Sequence, residues 1–351
     1  MAGGGKKLIP ILIVCGLAVA ATAVSAKEYN LPFDVEARRD QFGESIARVS
    51  CRSVPRPVVD LTGRESKVDG KVKTIVYRFQ RRLNDISDDF VRSRPANDSL
   101  ARCAQDWLSA WASAGAMLGK ANDEGAFLRK WGLAPAAMSY AKIKNARFLD
   151  PRKVKTIENW LTRWAGVVRD DYSTNLESSS RSNHHLYWAA WGVLSAAVVV
   201  GDEELFDWGI DRARFALSQI RADGLLPWAM EKKGKALLYH IKAVAPLVLS
   251  AEVAGANGID LYSEQSGALR KLVKAVLAGI GGPKAFHGLA PQVGVSPPDA
   301  EDMAWLTVYA ARFPNDVPVR WLHAFRKSES RSLGGDMKLL FAAGKADLVL
   351  K

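Results

Sequence analysis

Residues 183–191 read Asn-His-His-Leu-Tyr-Trp-Ala-Ala-Trp, and residues 232–240 read Lys-Lys-Gly-Lys-Ala-Leu-Leu-Tyr-His. Imidazoles, an amide, ammonium groups and a phenol are the side chains that take a proton from carbon beside a carboxylate and return one to a leaving oxygen. Other chemistries find less support. The five histidines, His184, His185, His240, His287 and His323, form neither His-x-x-x-His nor His-Glu-x-x-His, which argues against a zinc hydrolase. There is no Gly-x-Ser-x-Gly elbow and no phosphate-binding glycine loop, so neither a serine nucleophile nor a nucleotide is expected. Proton transfer remains, with no metal and no organic cofactor expected. Lys232, Lys235 and Tyr239 would share one face if their helix begins as early as residue 232, and ammonium groups beside a phenol stabilise its phenolate. Plainer roles stand beside these. The lysines can form a solvated face with Tyr239 packed at its edge, the adjacent histidines can be loop or packing residues, and Trp188 and Trp191 can be core. Exposed, the same indoles can stack on sugar rings.

Helices must position these groups. Val154, Ile157, Leu161, Trp164 and Val168 form one apolar stripe behind Asp150-Pro151, a cap residue followed by proline at the first helical position. Ala104, Trp107, Leu108, Trp111, Gly115 and Leu118 mark a second helix, and Phe206, Ile210, Ala213, Leu217 and Ile220 a third that stops at Asp223-Gly224. Further helical patterns cover about 72–93, 124–144, 187–200, 235–255, 264–280 and 302–313, with no competing run of strand alternation. About ten serial helices predict an all-α fold of helical hairpins in a ring or incomplete barrel. Gly281 to Pro298, rich in proline and glycine, is the longest loop and a candidate cover for a site.

The first 26 residues are punctuated as an export signal: Lys6 and Lys7, an apolar stretch from Leu8 through Val19, and small residues ending Val24-Ser25-Ala26. A retained membrane anchor is the competing reading. Cleavage would give a periplasmic or secreted protein without stable membrane association, a single domain over residues 27–351. Lys6 and Lys7 supply two of the formal net charge of +12, so +10 remains after cleavage. A field of that sign gathers polyanions. In an exported protein the favoured partner is an acidic polysaccharide and not nucleic acid, for which no motif is present. Cys51 and Cys103 are expected to form a disulfide in an oxidising compartment, two buried free thiols being the alternative.

These residues carry a resemblance. The chain resembles the bacterial periplasmic alginate lyases of polysaccharide lyase family five, which bear Asn-Asn-His-Ser-Tyr-Trp-Ala-Ala-Trp where this chain has residues 183–191. Their second motif, Arg-x-x-Arg-Ala-Leu-x-Tyr-His, matches Lys232 through His240. Weaker echoes are Ser66-Lys67-Val68-Asp69-Gly70, Trp107-Leu108-Ser109-Ala110-Trp111-Ala112, Ala304-Trp305-Leu306 and Leu333-Gly334-Gly335, in family order. The resemblance implies an incomplete (α/α) toroid and β-elimination in 1,4-linked uronic acid polymers. It implies that Tyr239 protonates the leaving oxygen and, for mannuronate, also removes the C5 proton. His185 would serve as base or support it, Lys67 would grip substrate carboxylates, and Asn183, Lys235, Trp188 and Trp191 would line the binding site.

Two positions depart from the family pattern. Its second asparagine is His184 here, and its arginine is Lys232. Both belong to the groups expected to mask the reacting carboxylate, without which C5 is not acidic. A protonated His184 or the Lys232 ammonium keeps charge there, but lysine lacks the two-pronged guanidinium grip. Another polyuronate, such as polyglucuronate, is therefore a competing substrate. A noncatalytic exopolysaccharide-binding protein is the rival outside enzymology.

Overall fold

The computed structural model describes residues 1, 27–46, 51, 53–64, 67–282 and 298–341. All but Met1 of the expected export signal, 1–26, and most of the loop from Gly281 to Pro298 lie outside the described residues. Helices dominate the rest: α1 (Val35–Phe42), α2 (Gly70–Arg92), α3 (Asp98–Ser113), α4 (Asp123–Ile143), α5 (Pro151–Asp170), α6 (His184–Val200), α7 (Glu203–Ser218), α8 (Pro227–Met230), α9 (Ala236–Ala256), α10 (Glu264–Gly281), α11 (Trp305–Arg312), α12 (Val319–Ala324) and α13 (Met337–Phe341). Successive hairpins set α2, α4, α6, α9 and α11 side by side in one row, while α3, α5, α7 and α10 pack behind them. This is the incomplete toroid of paired helices that the sequence led us to expect.

The helix starts follow from short polar side chains. Asp69, Asn97, Asn122, Asp150, Asn183 and Asp202 each precede a helix and accept a backbone N–H of its first turn, for example Asp150 from Arg152 at 2.8 Å. Such a cap is worth about 1 kcal/mol. Row position then decides composition. The outer α5 needs only one apolar stripe, whereas α6 is buried on nearly all sides, 14 of its 17 residues being buried between α4, α5, α7 and α9. Gly209 of α7 allows that closeness, since a Cβ there would come within 2.5 Å of Leu194.

Residues 233–256 are long and apolar enough to cross a membrane, yet 78% of that apolar window is buried, as in a core helix of a soluble fold. Cys51 and Cys103 are joined, with Cα atoms 5.8 Å apart, tying the segment before α2 to α3. Three details differ from the sequence expectation. α3 ends at Ser113, because Gly115 and Met117 adopt positive φ and turn the chain before Leu118. α7 ends at Ser218, ahead of the expected Asp223-Gly224 stop. A small antiparallel hairpin of β1 (Glu329–Ser330) and β2 (Gly335–Asp336) also forms, its strands too short to leave any alternation in the sequence.

That hairpin is anchored by a buried lysine. Lys142 of α4 donates to Asp88 at 2.5 Å and to the Gly334 carbonyl at 2.7 Å, while the Asp336 amide donates to Asp88 at 2.9 Å. Gly335, at φ 126°, passes so near that a Cβ would lie 2.5 Å from the lysine nitrogen. Only glycine fits there.

Candidate active site

Asn183 caps α6 by accepting from the His185 amide at 2.8 Å, which places His184 and His185 in the first turn of the most buried helix. Tyr239 enters the first turn of α9, beside that point. His184 is the hinge of the cluster: its ring centroid is 4.2 Å from that of His185, 5.2 Å from that of Tyr239 and 5.4 Å from that of Trp228. The phenol and the two imidazoles therefore converge on one place, although more than 50 residues separate them in the chain.

Hydrogen bonds hold the frame. The Trp228 indole donates to the Tyr187 hydroxyl at 3.0 Å, that hydroxyl donates to Gln219, and the Gln219 amide donates to the Ser182 carbonyl at 3.0 Å, just before the Asn183 cap. His240 accepts from the Leu226 amide at 2.9 Å and has its Nδ1 2.8 Å from the Ala236 carbonyl, a pairing that puts its proton on Nδ1. It fastens the loop that carries Trp228 and Lys232 to the start of α9.

His184 also forms part of the wall of a cleft of about 200 Å³. Trp188 of α6, Trp131 of α4, Tyr77 of α2, Lys242 of α9, the carboxylates Glu301 and Asp302 and the hairpin residue Arg331 also line that wall. The Trp188 indole donates to the Lys242 carbonyl at 2.9 Å, joining α6 to α9 along the cleft. The Arg331 guanidinium lies 4.0 Å over the Tyr77 ring and donates to Gln80 at 2.7 Å. Burial raises the Asp302 carboxyl above its ordinary range, against the pull of Lys242.

Several expected residues take other places. The helix that was to align Lys232, Lys235 and Tyr239 begins only at Ala236, because Lys233 adopts φ 49° and breaks the run. Lys232 nevertheless keeps its nitrogen 5.9 Å from the Tyr239 ring centroid, whereas Lys235 is exposed in the turn before α9. Trp191 is fully buried and offers no face to a sugar, since α6 is already sheathed on all sides one turn beyond Trp188. Lys67 is exposed ahead of α2, its carbonyl accepting from Asn122 at 3.0 Å, and it does not line the cleft.

His184 does not carry the expected charge. Burial, reinforced by Lys130, Lys242 and Lys232, pushes its pKa down to about 3. It is a neutral hydrogen-bonding group at ordinary pH, and its buried Nδ1 has no partner among the described residues. His185 is depressed further by burial, Lys130 and His184. Positive charge around the cluster rests on lysines. Lys130, Lys242 and Arg331 escaped the sequence reading. Lys242 had a signal, three residues after Tyr239 on the same helix; Lys130 had one as well, since Arg129 and Lys130 are two adjacent cations flanked by apolar residues of α4. The described residues hold no group of metal-binding side chains.

Residues 64–286 match the family described as Alginate lyase. An alginate lyase of Pseudomonas fluorescens is 30% identical over 366 aligned positions, covering 96% of each protein. An alginate lyase of Cobetia marina is 31% identical over 80% of this chain and 79% of that one. Among solved structures, a histidine-to-alanine variant of alginate lyase A1-III complexed with a tetrasaccharide superposes with a TM-score of 0.77 at 25% identity, covering 90% of this chain and 95% of that chain. The A1-III enzyme from Sphingomonas species A1 gives 0.73 at 25% identity, covering 89% and 95%.

Proposed function

The chain belongs to the alginate lyase family and is thereby a polysaccharide lyase, and we propose that it cleaves 1,4-linked polyuronates by β-elimination, with mannuronate-rich alginate as first substrate. The observation that carries this reading is the meeting of Tyr239 and His185 around His184, which itself lines a cleft that also holds Lys242 and Arg331. In the proposed reaction Lys232 masks the uronate carboxylate, helped by hydrogen bonds from neutral His184 and the free NH₂ of Asn183. C5 then becomes acidic. The Tyr239 phenolate takes the C5 proton, the C4–O bond breaks, and Tyr239 returns the proton to the departing oxygen. The product carries a 4,5-unsaturated uronate at its new non-reducing end. Trp188 and Trp131 offer the ring faces on which neighbouring sugars stack.

The test is direct. Ultraviolet absorbance of the unsaturated product is followed on polymannuronate, polyguluronate and polyglucuronate, with the fastest rise expected on polymannuronate. Binding without absorbance on every polymer would instead make this a noncatalytic polysaccharide-binding protein. Polyglucuronate is the second candidate because His184 and Lys232 replace the family's asparagine and arginine. A faster rise on that polymer would reassign the substrate.

We also propose that residues 1–26 are a cleaved export signal and that the enzyme works in the periplasm or outside the cell. The joined pair Cys51 and Cys103 supports an oxidising compartment. Amino-terminal sequencing of the cell-fractionated protein should begin near Lys27; an intact terminus in the membrane fraction would show an anchor.

A further inference from the structure

Lys130 is 1% exposed, and its nitrogen lies 2.9 Å from Nδ1 of His185. Among the described residues no carboxylate accompanies it. Its neighbour Arg129 takes Asp171, at 2.7 Å. The other titratable groups facing the pair are His184 from α6, Lys242 from α9 and Tyr172 from the turn after α5. What surrounds the amine instead is aromatic: its nitrogen is 3.7 Å from the Trp131 ring centroid and 4.9 Å from that of Phe127, which itself stacks on His185 at 4.0 Å. Ring faces attract N–H groups and cations. A buried amine without a counterion opposes stability, so its retention against a histidine calls for a reason in that histidine.

An ammonium has three donors and no acceptor, while a neutral amine still has N–H to give. Donation from Lys130 to Nδ1 is thus the one arrangement open to the lysine in both of its protonation states. We propose that Lys130 is a positioning residue: it donates to Nδ1 of His185, holds the imidazole in its Nε2–H tautomer, and so makes His185 a hydrogen-bond donor to the sugar, leaving the C5 proton to Tyr239. The proposal rests on the lyase reading of this site. It separates the two roles left open for His185, base or support, and assigns it support. Burial and Lys242 also drive the Lys130 ammonium well below the ordinary lysine range, which eases its place beside a ligand-facing imidazole.

The first experiment needs no turnover. In protein labelled with ¹⁵N-histidine, with the His185 signals assigned by a His185→Ala variant, His185 should show a pyridine-like Nδ1 and a pyrrole-like Nε2 at neutral pH. A proton on Nδ1 overturns the proposal whatever the enzyme does. The second uses Lys130→Met, which keeps the length and removes the donor. On the polyuronate that wild type cleaves, kcat should fall about 10–100-fold, by analogy with the loss of groups that orient metal-bound histidines, with KM little changed. The variant should also melt at or above the wild-type temperature and show a mixture of His185 tautomers. A merely structural lysine would give a lower melting temperature and an unchanged kcat, and that result overturns the proposal. Should Lys130→Met fail to fold, the wild-type spectrum still decides. Absence of cleavage by wild type on every polyuronate would instead sink the proposed function while leaving the tautomer measurement to stand.

Discussion

Two lysines on α4 are buried almost completely, and their surroundings are opposite. Lys142 meets Asp88 at 2.5 Å, the Gly334 carbonyl at 2.7 Å and the Ser87 hydroxyl at 3.4 Å, three acceptors for three N–H groups. Lys130 meets one imidazole and a set of aromatic faces. The first arrangement satisfies every donor and braces the hairpin that carries Arg331. The second leaves a buried amine with no carboxylate among the described residues, against His185 of the histidine pair whose other member, His184, lines the cleft. Burial alone therefore does not mark a functional lysine; burial without a carboxylate, beside a group that can move protons, does. One helix thus supplies a structural anchor at its far end and a chemical one near its start.

The largest test of this contrast is Tyr239→Phe, which removes the proposed proton carrier on the Lys130 side and little else. Turnover should drop by about a thousandfold or more, the size of acid–base effects acting at two steps, with an unchanged melting temperature. Substantial residual product absorbance would show that another group carries the proton. On the other side, Asp88→Asn leaves Lys142 buried without its counterion and should cost about 3–5 kcal/mol of stability in a urea melt. A loss below about 1 kcal/mol would erase the difference between the two lysines.

A smaller effect is expected where the hairpin touches the brace. Gly335→Ala forces a side chain into positive φ and against the Lys142 nitrogen, at a cost of about 1–3 kcal/mol. Since Arg331 rides on the same hairpin, KM for the polymer should rise with it. An unaltered KM would detach Arg331 from binding. A separate effect concerns acid. His184 has its folded pKa lowered to about 3, below the unfolded value near 6.5, so the unfolded chain binds the proton first as pH falls. Stability present above about pH 6.5 should drain away toward about pH 3, and His184→Asn should flatten that part of the profile. Equal acid sensitivity in both proteins, measured by thermal melts, would mean His184 is not the group responsible.

Much of this architecture is written locally. The cap residues Asp150, Asn183 and Asp202 mark their helices without reference to anything distant, and the motifs around His185 and Tyr239 carry the family resemblance on consecutive residues. What escaped depends on partners far along the chain. Trp191 and Trp188 look alike in sequence, and only the helices packed around α6 bury one and leave the other on the cleft. The start of α9 at Ala236 rests on a single left-handed residue, Lys233, which no periodicity reveals. The charge of His184 looked available because histidine usually titrates near neutrality; what suppresses it is first burial and then three lysines, from α4, from the turn before α9 and from α9 itself. Lys130 could be seen as an interruption of an apolar pattern, but its missing counterion could not.

His240 follows Tyr239 directly in the chain, yet its two ring nitrogens are engaged with the Leu226 amide and the Ala236 carbonyl. It works as a latch on the loop bearing Lys232. Protonation would turn its Nε2 from acceptor to donor and release the Leu226 amide. Burial lowers its pKa, against the opposing pull of the Ala236 carbonyl and Asp223, so the latch opens at a lower pH than it would with an ordinary histidine. Hydrogen exchange at Leu226 should accordingly remain slow as the medium turns weakly acidic, and the cationic loop should keep its place beside Tyr239.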